Sequence, residues 1–430
     1  MGQDKERLGA ENERLRSAVK ELAVINEILT MVSSTMSEEE ISRHIMKKVV
    51  VALNAREAAV FTFSDDPDHL QPVTFVRGKR DSSSQVTTKI DIRVAGWVAK
   101  HKKPLVINDV AHDPLVGAAS TEPSSLKSIL AVPLTAKGKL LGVLTAFDSA
   151  KPAGFGEDDV RLLAIIGMES AQILENARLY RQEIRLKEIQ GELAAARKIQ
   201  SGLLPTSVPP IEGYEIYAGT MPAKEVGGDF FDFISFSSER LYFSLGDVSG
   251  KGLPAALLMA TIQAQLRVIV NREFNLPPGD ILTELNGVTC QLTTSAQYAT
   301  MLVGCISVAG GDMTIANGGH VYPLLIRADG TIAEMTESGL IVGKFPQAKY
   351  ESWTCRLNTG DLLVIASDGI QDAADAQENQ YGEEAFSRFL VSHRDLQAEK
   401  LYEAVIRDVD QYRGQAEQFD DITLMIIQKK

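Results

Sequence analysis

From Glu157 to Leu204 the sequence keeps a helical apolar spacing without one proline, and it then meets Pro205, Pro209 and Pro210. A helix of that length, at about 1.5 Å per residue, outruns one ordinary core and has to lead from one domain to another. Proline inside a helix removes a donor and clashes with the preceding turn, so this cluster ends the helix and marks a boundary. The first half of the stretch, EDDVRLLAIIGMESAQILENARLY, has a broad apolar face suited to packing on a domain. Its second half narrows to Leu186, Ile189, Leu193, Ala196 and Leu203, with Gln200 between, which is a coiled-coil seam. With 430 residues the chain has room for two or three cores.

A second heptad pattern opens the chain. Leu8, Leu15, Leu22, Leu29 and Met36 share one position, and Ala18, Ile25 and Val32 share its partner, with Glu11 a polar exception. Residues 1–36 therefore read as a coiled-coil helix and point to a homodimer. Residues 37–175 read as a mixed α/β domain. A helix over ISRHIMKKVVVAL precedes strands in AAVFTF and QPVTFV. A helix in AGWVAKHKKP and a strand in PLVINDV follow. LKSILAVPL and LLGVLTAFD are joined by TAKGK as a hairpin, with Gly138 in its turn. That order predicts a small antiparallel sheet with helices against it. Residues 176–204 form the helical linker.

Residues 205–430 are mostly strands with paired helices. The long apolar helix LPAALLMATIQAQLRVIV and a second one, PPGDILTELNGVTCQL, interrupt the strands once; two more precede the last strand. The pattern predicts two sheets covered by helices, and the whole chain is multidomain α+β.

Composition narrows the partners. Lys and Arg total 44 against 57 Asp and Glu, a net charge of -13. Nucleic acid and anionic membrane both call for a positive surface, so neither is expected as partner. The charged N-terminus lacks a signal core, and no transmembrane helix is expected. Three cysteines, an odd number, fit buried thiols in a reducing compartment, hence a cytoplasmic protein.

Four acidic motifs share one layout, each at a strand end or turn: Asp229 in GGDFF, Asp247 in GDVSGKG, Asp368 in SDG, and Asp420 with Asp421 in DDIT. Each alone is an ordinary turn signal, as ADG at 328–330 is. Brought together, such carboxylates would repel one another unless cations neutralised them. Four of them balance two divalent ions, and all-oxygen ligands favour Mg²⁺ or Mn²⁺. Two such ions activate a water and stabilise a phosphoryl displacement.

In this order, GGDFFDF, GDVSGKG, ANGGH, SDGI and DDIT resemble the bacterial SpoIIE/RsbU-type branch of the PPM (protein phosphatase 2C-like) family. AAARKIQSGLLP looks like the helix leading into that domain. The resemblance covers about residues 195–430. It implies a β-sandwich flanked by helix pairs, two Mn²⁺ or Mg²⁺ ions, and hydrolysis of phosphoserine or phosphothreonine by a metal-bound water. By the same resemblance Asp247 bridges both metals beside the Val248 carbonyl, Asp229 holds one metal, and Asp368 and Asp420 hold the second. Asp421, Asp232 and Lys224 are second-rank candidates, Lys224 for phosphate. A structural His320 in ANGGH is favoured over a catalytic acid. The implied substrate is a phosphorylated STAS-type anti-sigma-factor antagonist.

AGWVAKHKKPLVINDVAHDP, LKSILAVPLTAKGKLLGVLTAFD and FGEDDVRLLAIIG resemble a GAF domain, a module that binds small ligands or dimerises. Asp148 and Ser149 replace the Asn-Lys pair of its cyclic-nucleotide branch, and no cysteine is present here for a bilin. The signal stays open. GGDFF also resembles the GGDEF signature of diguanylate cyclases, but Phe230 stands where Glu is needed. No cysteine has Arg six residues on, and no GxxxxGK[ST] loop occurs. The remaining alternative is an inactive signalling adaptor.

Overall fold

A computed structural model describes residues 36–63, 72–77, 85–116, 126–237, 239–273, 275–294, 296–308 and 312–430. The expected N-terminal coiled coil lies outside the described residues. The chain divides into two compact units, Met1–Glu188 and Ile189–Lys430.

The first unit begins with α1, Glu38–Leu53. Ser37 caps it reciprocally: its Oγ accepts from the Glu40 amide at 3.2 Å, and Glu40 accepts from the Ser37 amide at 2.8 Å. Asn54 ends it in the left-handed region, where asparagine is tolerated. Strands β1 (Ala55–Phe63), β2 (Pro72–Arg77), β3 (Leu105–Ile107), β4 (Ile129–Ala136) and β5 (Lys139–Ser149) form one antiparallel sheet, ordered β2-β1-β5-β4-β3. Side-chain alternation gives the sheet two apolar faces. Ala58 and Val60 pack with Ile41 and Ile45 of α1 and with Leu163 and Ile166 of the long helix α3, Glu157–Leu203. Ala59, Phe61, Phe147 and Val143 pack with Val94 and Val98 of α2, Gln85–His101. The expected fold order is therefore present, but α2 begins well before AGWVAKHKKP. Asp148 is structural: its Oδ1 accepts from the Lys127 amide at 2.7 Å, and its Oδ2 lies 3.5 Å from Arg56. Helix α3 spans 47 residues, as the proline stop predicts. Its Ile184, Leu186, Ile189 and Ile199 are exposed.

The second unit is a two-sheet sandwich. Strands β6 (Tyr214–Met221), β7 (Phe230–Ser237), β8 (Arg240–Val248), β9 (Ala299–Ser307), β10 (Asp312–Gly318), β11 (Leu324–Ile326), β12 (Ile332–Glu334), β13 (Trp353–Arg356), β14 (Leu362–Ala366) and β15 (Ile422–Lys429) divide into sheets ordered β13-β10-β9-β8-β7 and β12-β11-β14-β15-β6. Strand β13 has no counterpart in the sequence pattern, because WTCR is too short to carry a period. Between the sheets lie Phe231, Phe243, Leu245, Ile365, Met425 and Ile427. Helices α4 (Leu253–Arg272) and α5 (Pro278–Leu292) cover the first sheet through Met259, Ile262, Leu266 and Leu285. Helices α6 (Glu383–Ser392) and α7 (Ala398–Arg413) cover the second through Phe386, Leu401 and Val405. Each such buried apolar side chain contributes about 1.5–3 kcal/mol.

Helix α4 is the apolar segment that bears on the expectation of no transmembrane helix. Its 20 residues are long and apolar enough, by length and composition, to cross a membrane. The apolarity has a local cause here, since the helix packs on β7, β8 and α5.

Candidate active site

The strand period decides which aspartates meet. On β7, Phe231 and Phe233 point between the sheets, whereas Phe230 and Ile234 point to the helices. Asp229 therefore belongs to the inter-sheet side and Asp232 to the helix side. On β8, Leu241, Phe243 and Leu245 point inward, and Asp247 continues that row at the strand end. From the opposite sheet, Ser367 follows inward-facing Ile365, and Thr423 and Asp421 precede inward-facing Met425. Both sheets thus deliver polar residues to one end of the sandwich.

The loops there are in close contact. A Cβ on Gly228 would come 2.6 Å from the Val248 carbonyl oxygen. A Cβ on Gly369 would come 2.0 Å from the Asp421 carbonyl oxygen. Glycine is required at both places for the loops to approach. Asp421 is the clamp: its Oδ1 accepts from the Ala223 amide at 2.7 Å, and its Oδ2 from the Gly228 amide at 2.7 Å. Its carboxylate is thereby occupied in holding the GGD turn.

Asp229 is buried, and its Oδ2 has no hydrogen-bond partner. Burial, then the charge of Asp247, pushes its carboxyl well above the usual range, while the hydroxyls of Thr423 and Ser367 act the other way. Burial, then the charge of Asp368, pushes Asp247 up to about 6. Burial, then the charge of Asp420, raises Asp368. Carboxylates with unsatisfied charge in a low-dielectric pocket shift in this direction. Among the described residues no group of three or more His, Cys, Asp or Glu side chains is placed to hold a metal ion. The acids are coupled in a chain instead, from Asp229 through Asp247 to Asp368 and Asp420.

The other candidates do not join this chain. Both oxygens of Asp232 pair with Arg267 of α4, each at 2.7 Å, and the residue is fully buried. Lys224 is exposed on the loop after β6. His320 is buried and lowered to about 4 by burial, hence neutral, with Nδ1 2.9 Å from Thr300 Oγ1. Its amide donates to Asn317 Oδ1 at 2.7 Å, a structural turn.

Two contacts escaped the sequence. Lys251 Nζ lies 3.0 Å from Asp420 Oδ2. Gln200 of α3 grips Gly227 from both sides, donating to its carbonyl at 2.8 Å and accepting from its amide at 3.2 Å. A polar residue interrupting an apolar seam is the available signal for Gln200.

Comparison with known proteins agrees with this two-domain fold. Residues 237–430 match the family model described as Stage II sporulation protein E (SpoIIE), and residues 35–175 match the GAF domain model. The chain carries a GAF domain followed by a SpoIIE-type PP2C domain. The phosphoserine phosphatase RsbU of Bacillus subtilis is 27% identical over 250 residues, covering 57% of this chain and 72% of RsbU. Protein IcfG of Synechocystis is 26% identical over 276 residues, covering 58% of this chain but only 43% of IcfG. The SiaA-PP2C domain of Pseudomonas aeruginosa superimposes with a TM-score of 0.52 at 20% identity, covering 57% of this chain and 99% of that domain. That superposition establishes the fold of the SpoIIE-type domain.

Proposed function

We propose that the chain is a metal-dependent protein serine/threonine phosphatase, with a PP2C domain at 205–430 controlled by a GAF sensor at 37–175 through the 176–204 helix. The observation that carries this reading is the buried, partnerless Oδ2 of Asp229 beside an Asp247 raised to about 6. Such a pair stores electrostatic cost that a hard cation would relieve. In donor type the residues suit such a cation: the carboxylates of Asp229, Asp247, Asp368 and Asp420 and the Val248 carbonyl would offer oxygen ligands to two Mn²⁺ or Mg²⁺ ions. Bound divalent cations supply Lewis-acid activation of water and neutralise charge on a phosphoryl group.

The chain's own residues do the rest. Asp421 holds the GGD turn, and so fixes where Asp229 stands. Asp247 and Asp229, sharing protons in the metal-free state, would release them on loading. Asp232 with Arg267, and neutral His320 with Asn317, stiffen the walls.

By likeness to RsbU, the substrate class is a phosphoserine protein, and we extend it to a STAS-type partner in a homodimeric intracellular switch. The exposed seam of α3 supports a dimer, which sedimentation of the full chain would test; a monomer would refute it. The bonds from Gln200 to Gly227 support control through the helix. Gln200→Ala should change the response of activity to the sensor's state. Identical rates and regulation in that variant would exclude this route.

The catalytic test is phosphate release from a phosphoserine protein with Mn²⁺, Mg²⁺ or chelator. Release should depend on the cation and fall more than about a hundredfold in Asp247→Ala and Asp368→Ala. Cation-independent release, or full activity in both variants, would reject the reading. No release by a chain that binds the cation would favour the inactive adaptor.

A further inference from the structure

The turn from β8 into α4, Ser249–Gly252, carries a lysine whose charge has an unusual destination. Gly250 and Gly252 both have positive φ, 97° and 74°, and the turn they make throws Lys251 across to the loop before β15. The ammonium donates to the Phe419 carbonyl at 2.5 Å and stands 3.0 Å from Asp420 Oδ2. It also lies 3.6 Å from the centroid of the Phe419 ring, a cation–π arrangement. Phe419 is 78% exposed, so packing in a core does not account for its position. The charge of Lys251 also opposes the rise at Asp368. One side chain therefore balances two of the four acids, while Asp229 and Asp247 form no ion pair with a cation among the described residues.

We propose that Lys251 is a built-in counter-cation that competes with a divalent ion for Asp420. This inference rests on the metal reading of Asp420 given above. Two positive groups on one carboxylate repel each other, so the ammonium opposes an incoming ion and the ion favours its release. The ammonium is only part-buried, with 31% of its side chain exposed, and can turn to solvent on its long stem. The Phe419 ring is the rest that holds it over Asp420 when the ion is gone. Lys251 then sets the cation concentration at which the second sheet's acids become occupied, and it spares the metal-free domain part of their mutual repulsion.

The test is Mn²⁺ binding to the full chain by calorimetry, which needs no catalysis. Lys251→Met keeps the apolar stem and removes the charge. It should bind Mn²⁺ about two- to fivefold more tightly than the parent, the range an exposed ion pair supplies. Lys251→Arg should leave affinity near the parent value. Phe419→Ala, which changes only an exposed ring, should shift affinity the same way as Lys251→Met but less. Unchanged or weaker binding in Lys251→Met, with the parent binding normally, would overturn the competition. Absence of Mn²⁺ binding in both parent and Lys251→Met would overturn the metal reading and the competition together.

Discussion

Asp229 and Asp232 stand three residues apart at the head of β7, both buried, and the molecule treats them oppositely. Asp232 faces α4, where Arg267 takes both its oxygens and Gln263 adds a bond at 3.3 Å. Asp229 faces the gap between the sheets, where an oxygen is left without a partner and a second acid raises its carboxyl. The same residue type, at the start of one strand and just before it, is thus a closed structural pair on one face and an open, frustrated group on the other. Burying charge without a partner is costly, and such features cluster at functional sites.

The sharpest way to break this comparison is to open the closed pair. Arg267→Ala leaves Asp232 buried and uncompensated, and should lower stability by about 3 kcal/mol in urea unfolding. Replacing both partners with apolar residues of similar size should cost far less, because no lone charge remains. If Arg267→Ala costs no more than the double replacement, Asp232 is not the structural half of the pair.

A smaller effect comes from the open side. The Asp247 carboxyl sits at about 6 in the fold against an ordinary 3.8, so folding takes up a proton between those values. Its contribution is present at low pH and is lost as pH rises through 6, about 2–3 kcal/mol in the metal-free chain. The shifts at Asp229 and Asp368 have the same sign. Chemical unfolding at a series of pH values with chelator present should show this fall, and saturating Mn²⁺ should offset it. A metal-free chain that gained stability over this range would contradict the assignment.

Much of this is legible in the residues. The proline-stopped helix, the paired helices and the four acidic strand ends all follow from local pattern, because spacing and turn chemistry are written nearby in sequence. The separation of Asp229 from Asp232 is also available there, since one step of three along a strand changes face. What pattern does not hold is long-range pairing. Arg267 lies 35 residues from Asp232, and Lys251 lies 168 residues from the Phe419 carbonyl it meets. In sequence Asp421 reads as a weaker ligand; its bonds to Ala223 and Gly228, on a distant part of the chain, make it a clamp. Filled space is equally silent: nothing in Phe61 or Phe147 alone says that they pack against α2 in the GAF domain.

The central claim is that the open acids are kept for a cation and at the expense of stability. Thermal unfolding of Asp247→Asn beside the parent, near pH 7.5, with chelator and then with Mn²⁺, tests it most directly. The account predicts that with chelator the variant melts above the parent, because a neutral isostere removes repulsion. With Mn²⁺ the parent should rise and the variant should gain little. A variant that melts below the parent without metal, or that gains as much from Mn²⁺, would contradict it.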